Sequence, residues 1–152
     1  MLNSNQERSG TIKWRKKYKI SEFAHLVGLS PYTLRYYENE KLITPHRYDN
    51  GQRYYTNHDI RWVGFLLHLK GCGMSMNEIK EYVKLRSQGD STIPQRKAWL
   101  QKVKANSLSK IKEMQFHLKI LFHKIDWYDG KLNNCDYGSF AEYLDRFEKK
   151  GK

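Results

Sequence analysis

Ile111, Leu118, Ile125 and Leu132 stand seven residues apart, with Met114, Leu121 and Tyr128 between them at alternating steps of three and four. This is the a/d pattern of a coiled coil, in which one apolar seam of a helix has to be covered by another helix. Lys110, His117 and Lys124 mark one edge of it. Only about twenty residues follow Leu132, so the chain has little of its own with which to cover so long a stripe. The pattern predicts a dimerisation helix over residues 91–132. The alternative is that the tail aromatics Phe140, Tyr143 and Phe147, with Leu144, fold back onto the seam. Upstream, Leu100, Val103 and Leu108 follow the looser period of a helix lying on a globular core.

Charge restricts the partners. The chain has 152 residues, 28 Lys+Arg against 16 Asp+Glu, and a formal charge of +12, which points to a polyanion. Nucleic acid suits it better than a membrane surface, because no basic helix carries bulky apolar residues opposite its charges. The apolar runs fall far short of the ~20 residues of a membrane span. Residues 1–17 show no apolar periodicity and end in Lys13, Arg15, Lys16 and Lys17. They read as a flexible basic arm that can add phosphate contacts, with no secretory signal. Cys72 and Cys135 are too few for a disulfide scaffold or a CxxC site, and a cytoplasmic location is expected.

Residues 18–87 read as a small DNA-binding domain. After the extended piece Tyr18-Lys19-Ile20, Ser21 is the expected cap of a helix whose apolar face is Phe23, Ala24 and Val27, stopped by Gly28. Ser30-Pro31 then caps and opens a second helix. In it Leu34 and Tyr37 face inward, leaving Tyr32, Thr33, Arg35 and Tyr36 outward. Two short helices joined by a tight glycine turn make a helix-turn-helix. Asn50-Gly51 predicts a hairpin with a type I′ turn, a wing with Arg47 and Arg53 near its tip. A third helix over about 59–70 buries Ile60, Val63, Leu66 and Leu67 and is broken at Gly71-Cys72-Gly73. Ser75 and Glu78 form a capping box for a fourth, which packs Ile79, Tyr82 and Val83. Thr92-x-x-Gln95 opens the long helix, and Asp129-Gly130-Lys131 with residues 133–138 is expected to end it before a tail, 133–152, with room for one short helix. The fold class is thus mainly α with a small β wing: a winged helix-turn-helix followed by a coiled-coil helix.

The ordered set Ile20-Ser21-Glu22-Phe23-Ala24, Leu29-Ser30-Pro31-Tyr32-Thr33-Leu34-Arg35-Tyr36-Tyr37-Glu38, Leu42-Ile43-x-Pro45, Arg47-Tyr48-x-x-Gly51-x-Arg53-Tyr54-Tyr55 and Gly73-Met74-Ser75 resembles the MerR family of transcriptional regulators over about residues 18–132. Gln88-Gly89-Asp90 and Tyr128-Asp129-Gly130-Lys131-Leu132 look closest to the aldehyde-responsive NmlR/AdhR-like branch. The resemblance implies a homodimer joined by an antiparallel coiled coil. It also implies promoter DNA as partner, bent and untwisted across an over-long −35/−10 spacer, with RNA polymerase engaged indirectly. Carried over by position, Tyr32, Thr33, Arg35 and Tyr36 would be recognition-helix contacts, Arg47, Arg53 and Tyr54 wing contacts, and Lys70 a phosphate contact. Ile111, Met114, Leu118, Leu121, Ile125, Tyr128 and Leu132 would form the dimer seam.

The effector is less determined. Metal-sensing relatives place a cysteine where Ser91 and Thr92 stand here and a cysteine pair near Cys135, so neither a metal site nor a cofactor is expected. The aldehyde branch has a cysteine where this chain has His68, and Cys72 stands one turn further on. Cys72 with His68 is therefore the candidate electrophile or redox site, although a helix C-terminus works against a thiolate there. Competing readings are an architectural winged-helix protein of the excisionase kind and a coiled-coil adaptor that binds only protein. No phosphate loop, HExxH or nucleophile–His–Asp pattern indicates an enzyme.

Overall fold

The computed structural model describes residues 16–150. The chain forms two compact units that divide between Val103 and Lys104.

In the first unit, Tyr18 and Tyr55 exchange backbone N–H···O bonds of 2.8 and 2.9 Å, an isolated antiparallel bridge. The bridge leaves one residue, Lys19, to turn the chain into helix α1 (Ile20–Val27). Lys19 is therefore the extended N-cap, and the expected cap Ser21 lies inside the first turn instead. Gly28, at φ 72°, closes α1 in the left-handed conformation that a Cβ would penalise. Ser30 caps α2 (Pro31–Asn39), its Oγ accepting the Thr33 N–H at 3.0 Å.

Strands β1 (His46–Arg47) and β2 (Arg53–Tyr54) pair His46 with Tyr54 and Arg47 with Arg53. The expected type I′ turn is not formed. Gly51 is left-handed at φ 83° but Asn50 is not, and the Gly51 N–H bonds the Tyr48 carbonyl at 2.8 Å. The result is a three-residue loop with glycine in its last position. The Asn50 Oδ1 accepts the Gln52 N–H at 3.0 Å, which holds the loop without asking Asn50 for a positive φ.

Helix α3 (Asn57–Gly71) starts where the Asp59 carboxylate accepts the Thr56 N–H (2.8 Å) and hydroxyl (3.0 Å). Helix α4 (Met76–Ser87) starts with the reciprocal Ser75–Glu78 box. Phe23, Leu34, Tyr55 and Val63 are fully enclosed at the centre of the unit, each contributing roughly 1.5–3 kcal/mol of burial. The rings of Phe23 and Tyr55 stack at 4.2 Å. Burial raises the hydroxyl pKa of Tyr37 and of Tyr55. Ile60 and Leu67 lie at the border of this core, while Leu69 takes a buried place beside Val63 and Leu66.

A 3₁₀ turn (Asp90–Thr92) leads into α5 (Ile93–Leu132). Thr92 is buried, its hydroxyl 2.7 Å from the Leu85 carbonyl and 2.9 Å from that of Gly89, so it ties α4 to the long helix and does not cap with Gln95. Trp99, Leu100 and Val103 pack against the first unit's core, which accounts for their 3.6-residue period.

In the second unit the remainder of α5 is joined by a short turn to α6 (Phe140–Lys150). Asn134, at φ 59°, lets the Cys135 N–H reach the Gly130 carbonyl (2.8 Å) and the Asn134 N–H that of Lys131 (3.3 Å). That is a Schellman closure with asparagine in the glycine position. Gly130, expected to help end the helix, is instead buried within it and faces the Tyr137 ring, which occupies the space a Cβ would need. The Trp127 indole donates to the Gly138 carbonyl at 3.1 Å. Phe140 lies edge-on to Trp127, and Phe147 sits 4.6 Å from the His123 ring. His123, Trp127 and Gly130 share one stripe of α5, on the opposite side from the a/d seam. The tail does fold back, but onto this rear stripe, and every seam residue stays exposed, from 42% at Leu118 to 80% at Leu132.

Candidate nucleic-acid interface

The cap that starts α2 also fixes what the helix presents. Leu34 and Tyr37 anchor its inner face, and Tyr32, Arg35 and Tyr36 point outward, with Tyr32 78% exposed. Thr33 is less available, because its hydroxyl lies 2.9 Å from the Ser30 Oγ in the cap itself. The first turn of α2 contains no acidic residue, so its N-terminal dipole is left to favour an anion.

The wing is tied to this helix through Glu38, a residue the sequence reading did not single out. Its Oε1 accepts from Arg47 Nη2 at 2.7 Å and its Oε2 from Arg53 Nε at 2.6 Å. Arg47 also donates from Nη1 to the Gly51 carbonyl at 2.9 Å, so one guanidinium braces both the loop and the helix. Cross-strand partners share a face of a hairpin, and the Arg47–Arg53 face is thus the one turned toward α2. Tyr54, paired with His46, belongs to the other face. Its ring lies 5.1 Å from that of His46 and 4.6 Å from that of Tyr48. The structure therefore brings Arg47 and Arg53 together through Glu38 and places Tyr54 apart from them. The signal for Glu38 was present in an acid on the helix and two arginines on the hairpin, but their separations of nine and fifteen residues match no local rule.

Beside the recognition helix, Lys80 of α4 is paired with Glu40. That hydrogen bond raises the Lys80 pKa above its ordinary value, with Coulombic help from Glu40 and Tyr36. Lys70 is exposed in the last turn of α3. His68 and Cys72 are exposed one turn apart at the same helix end, and the Cys72 N–H closes the turn on the His68 carbonyl at 3.0 Å. Among the described residues no three or more His, Cys, Asp or Glu side chains gather as a metal site would require.

A capped helix pair, an exposed second helix and a hairpin clamped to it define a winged helix-turn-helix protein. The family model described as "MerR HTH family regulatory protein" matches residues 18–85. An uncharacterised HTH-type transcriptional regulator of Haemophilus influenzae is 33% identical over 112 residues, 73% of this chain and 83% of that one. The HTH-type transcriptional regulator AdhR of Bacillus subtilis is 40% identical over 79 residues, 51% of this chain and 56% of its own length. Among solved structures, HiNmlR, a MerR family regulator lacking the sensor domain and bound to promoter DNA, superposes with a TM-score of 0.71 at 31% identity, covering 79% of this chain and 92% of that one. The chain belongs to the MerR HTH family and is a transcriptional regulator of that family. No helix among the described residues is long and apolar enough to cross a membrane.

Proposed function

We propose that the protein acts as a homodimer on promoter DNA, in the cytoplasm and without enzymatic activity of its own. The observation that carries this reading is the recognition helix with its clamped wing: exposed Tyr32, Arg35 and Tyr36 beside Arg47 and Arg53, which Glu38 holds at the hairpin's inner face. Such a surface offers cations for phosphates and a helix for the major groove. HiNmlR, similar over most of this chain, is a structure with promoter DNA bound. The exposed seam of α5 supplies the second half of the argument, because seven large side chains in a/d register call for a partner helix. In the dimer the two winged-helix domains would engage both halves of a pseudo-palindrome. Their phosphate contacts would offset a bending energy of roughly 1–6 kcal/mol.

Binding of a mixed-sequence duplex followed by fluorescence anisotropy over a sodium chloride series tests this reading. Log K should fall linearly with log salt, and Arg35→Ala/Arg53→Ala should flatten the slope by about 1.8, at about 0.9 for each lost phosphate contact. The same variant should sediment as the unmodified dimer. A wild-type affinity indifferent to salt would leave a protein-binding adaptor as the better description.

A further inference from the structure

The wing has a second face. His46, Tyr48 and Tyr54 stand on it as a contiguous aromatic surface, turned away from the arginines that meet Glu38. The bridge between Tyr18 and Tyr55 lays the start of the described chain directly alongside β2. Lys17 consequently emerges over this surface, its Nζ 4.6 Å from the Tyr54 ring centroid and 5.2 Å from that of Tyr48. Lys16 lies 5.0 Å from the Tyr18 ring. Both lysines are exposed, and among the described residues neither forms an ion pair with a carboxylate. The acid nearest to this face, Asp59, accepts from Thr56 and lies 3.5 Å from His46.

We propose that Lys16 and Lys17, set in place by Tyr18, Tyr48 and Tyr54, form a second phosphate-binding edge on the outer face of the wing. The inference rests on the DNA-binding reading above and extends its footprint to a part of the chain that precedes the family match, which begins at residue 18. A lysine over an aromatic ring keeps its charge while the ring limits where the ammonium can go. The duplex backbone beside the wing would thus meet two preplaced cations. Lys13 and Arg15 precede them in the sequence, so the edge also marks where the most basic stretch of the N-terminus joins the domain.

The test uses the full chain and the same mixed-sequence duplex. Lys16→Gln/Lys17→Gln should flatten the salt slope by about 1.8, whereas Lys16→Arg/Lys17→Arg should keep the wild-type slope. Tyr48→Leu, which retains both lysines but removes one ring from under Lys17, should weaken binding and flatten the slope by up to about 0.9. If the glutamine variant keeps the full slope while the wild type binds with the expected salt dependence, the second edge is refuted and the regulator reading stands. If the arginine variant loses as much as the glutamine variant, charge is not the cause and the proposal fails. A Tyr48→Leu protein with wild-type slope would refute the aromatic placement. A wild type without salt dependence would instead refute the underlying reading.

Discussion

Glu38 shows how a negative charge can serve a surface meant for a polyanion. By Coulomb's law alone, removing this carboxylate should strengthen DNA binding, since it stands beside the recognition helix. The geometry argues the opposite sign. Both of its oxygens are occupied by the wing arginines at 2.6 and 2.7 Å, and without them Arg47 and Arg53 lose the partner that sets their direction. Glu38→Gln keeps the shape and one acceptor oxygen but loses charge and half the acceptor capacity. The side chains are partly exposed, so each pair is worth no more than about 1 kcal/mol, and duplex binding should weaken about three- to tenfold. Tighter binding of Glu38→Gln in an anisotropy titration would show that the carboxylate acts only as a repulsive charge. The acid could be read in Leu34-Arg35-Tyr36-Tyr37-Glu38, but its partners could not, because they meet it only after the hairpin has folded.

At the scale of elements, the sequence was most legible where a local rule determines the outcome. Ser30 before Pro31, Ser75 with Glu78 and the glycine stop at Gly28 all lie where capping chemistry predicts. It was less legible where one element constrains another. The Tyr18–Tyr55 bridge moved the start of α1 ahead of Ser21, and the burial of Thr92 turned an apparent cap into a tie between helices. Gly130 is the sharpest case, since a glycine near a helix end looks like a terminator and here admits the Tyr137 ring. Gly130→Ala separates these roles. Alanine favours a helix interior by about 1 kcal/mol, so a mere terminator should become a firmer helix. Here the added Cβ displaces Tyr137, and overpacking of this kind costs about 1–3 kcal/mol. Proteolysis in the 133–139 turn should accelerate and Trp127 emission should shift to the red as the Gly138 hydrogen bond loosens. A more protected turn would contradict the packing role.

For the whole molecule, the exposed seam sets not only that two chains meet but in which register. In an antiparallel pair each a layer faces a d layer of the partner helix, so facing residue numbers have a constant sum. Pairing Ile111 with Tyr128, Met114 with Ile125 and Leu118 with Leu121 places Leu132 opposite Ser107, and every seam residue then meets a residue within α5. Shifting by one heptad would set Ile111 opposite Cys135, beyond the helix end at Leu132. Engineered disulfides distinguish these arrangements. In a Cys72→Ser/Cys135→Ser background, mixing the Ile111→Cys protein with the Tyr128→Cys protein should yield a crosslinked heterodimer on mild oxidation, seen by non-reducing electrophoresis. Ile111→Cys alone should not crosslink to itself, because in the antiparallel pair the two copies of that position are about 25 Å apart at ~1.5 Å rise per residue. A parallel pair would bring the two Ile111→Cys thiols together and give the reverse pattern. The rear stripe does not compete with this arrangement, because α6 already covers His123, Trp127 and Gly130 on the far side of the helix. Crosslinking should therefore leave the docking of the tail, and the Trp127 emission that reports it, unchanged.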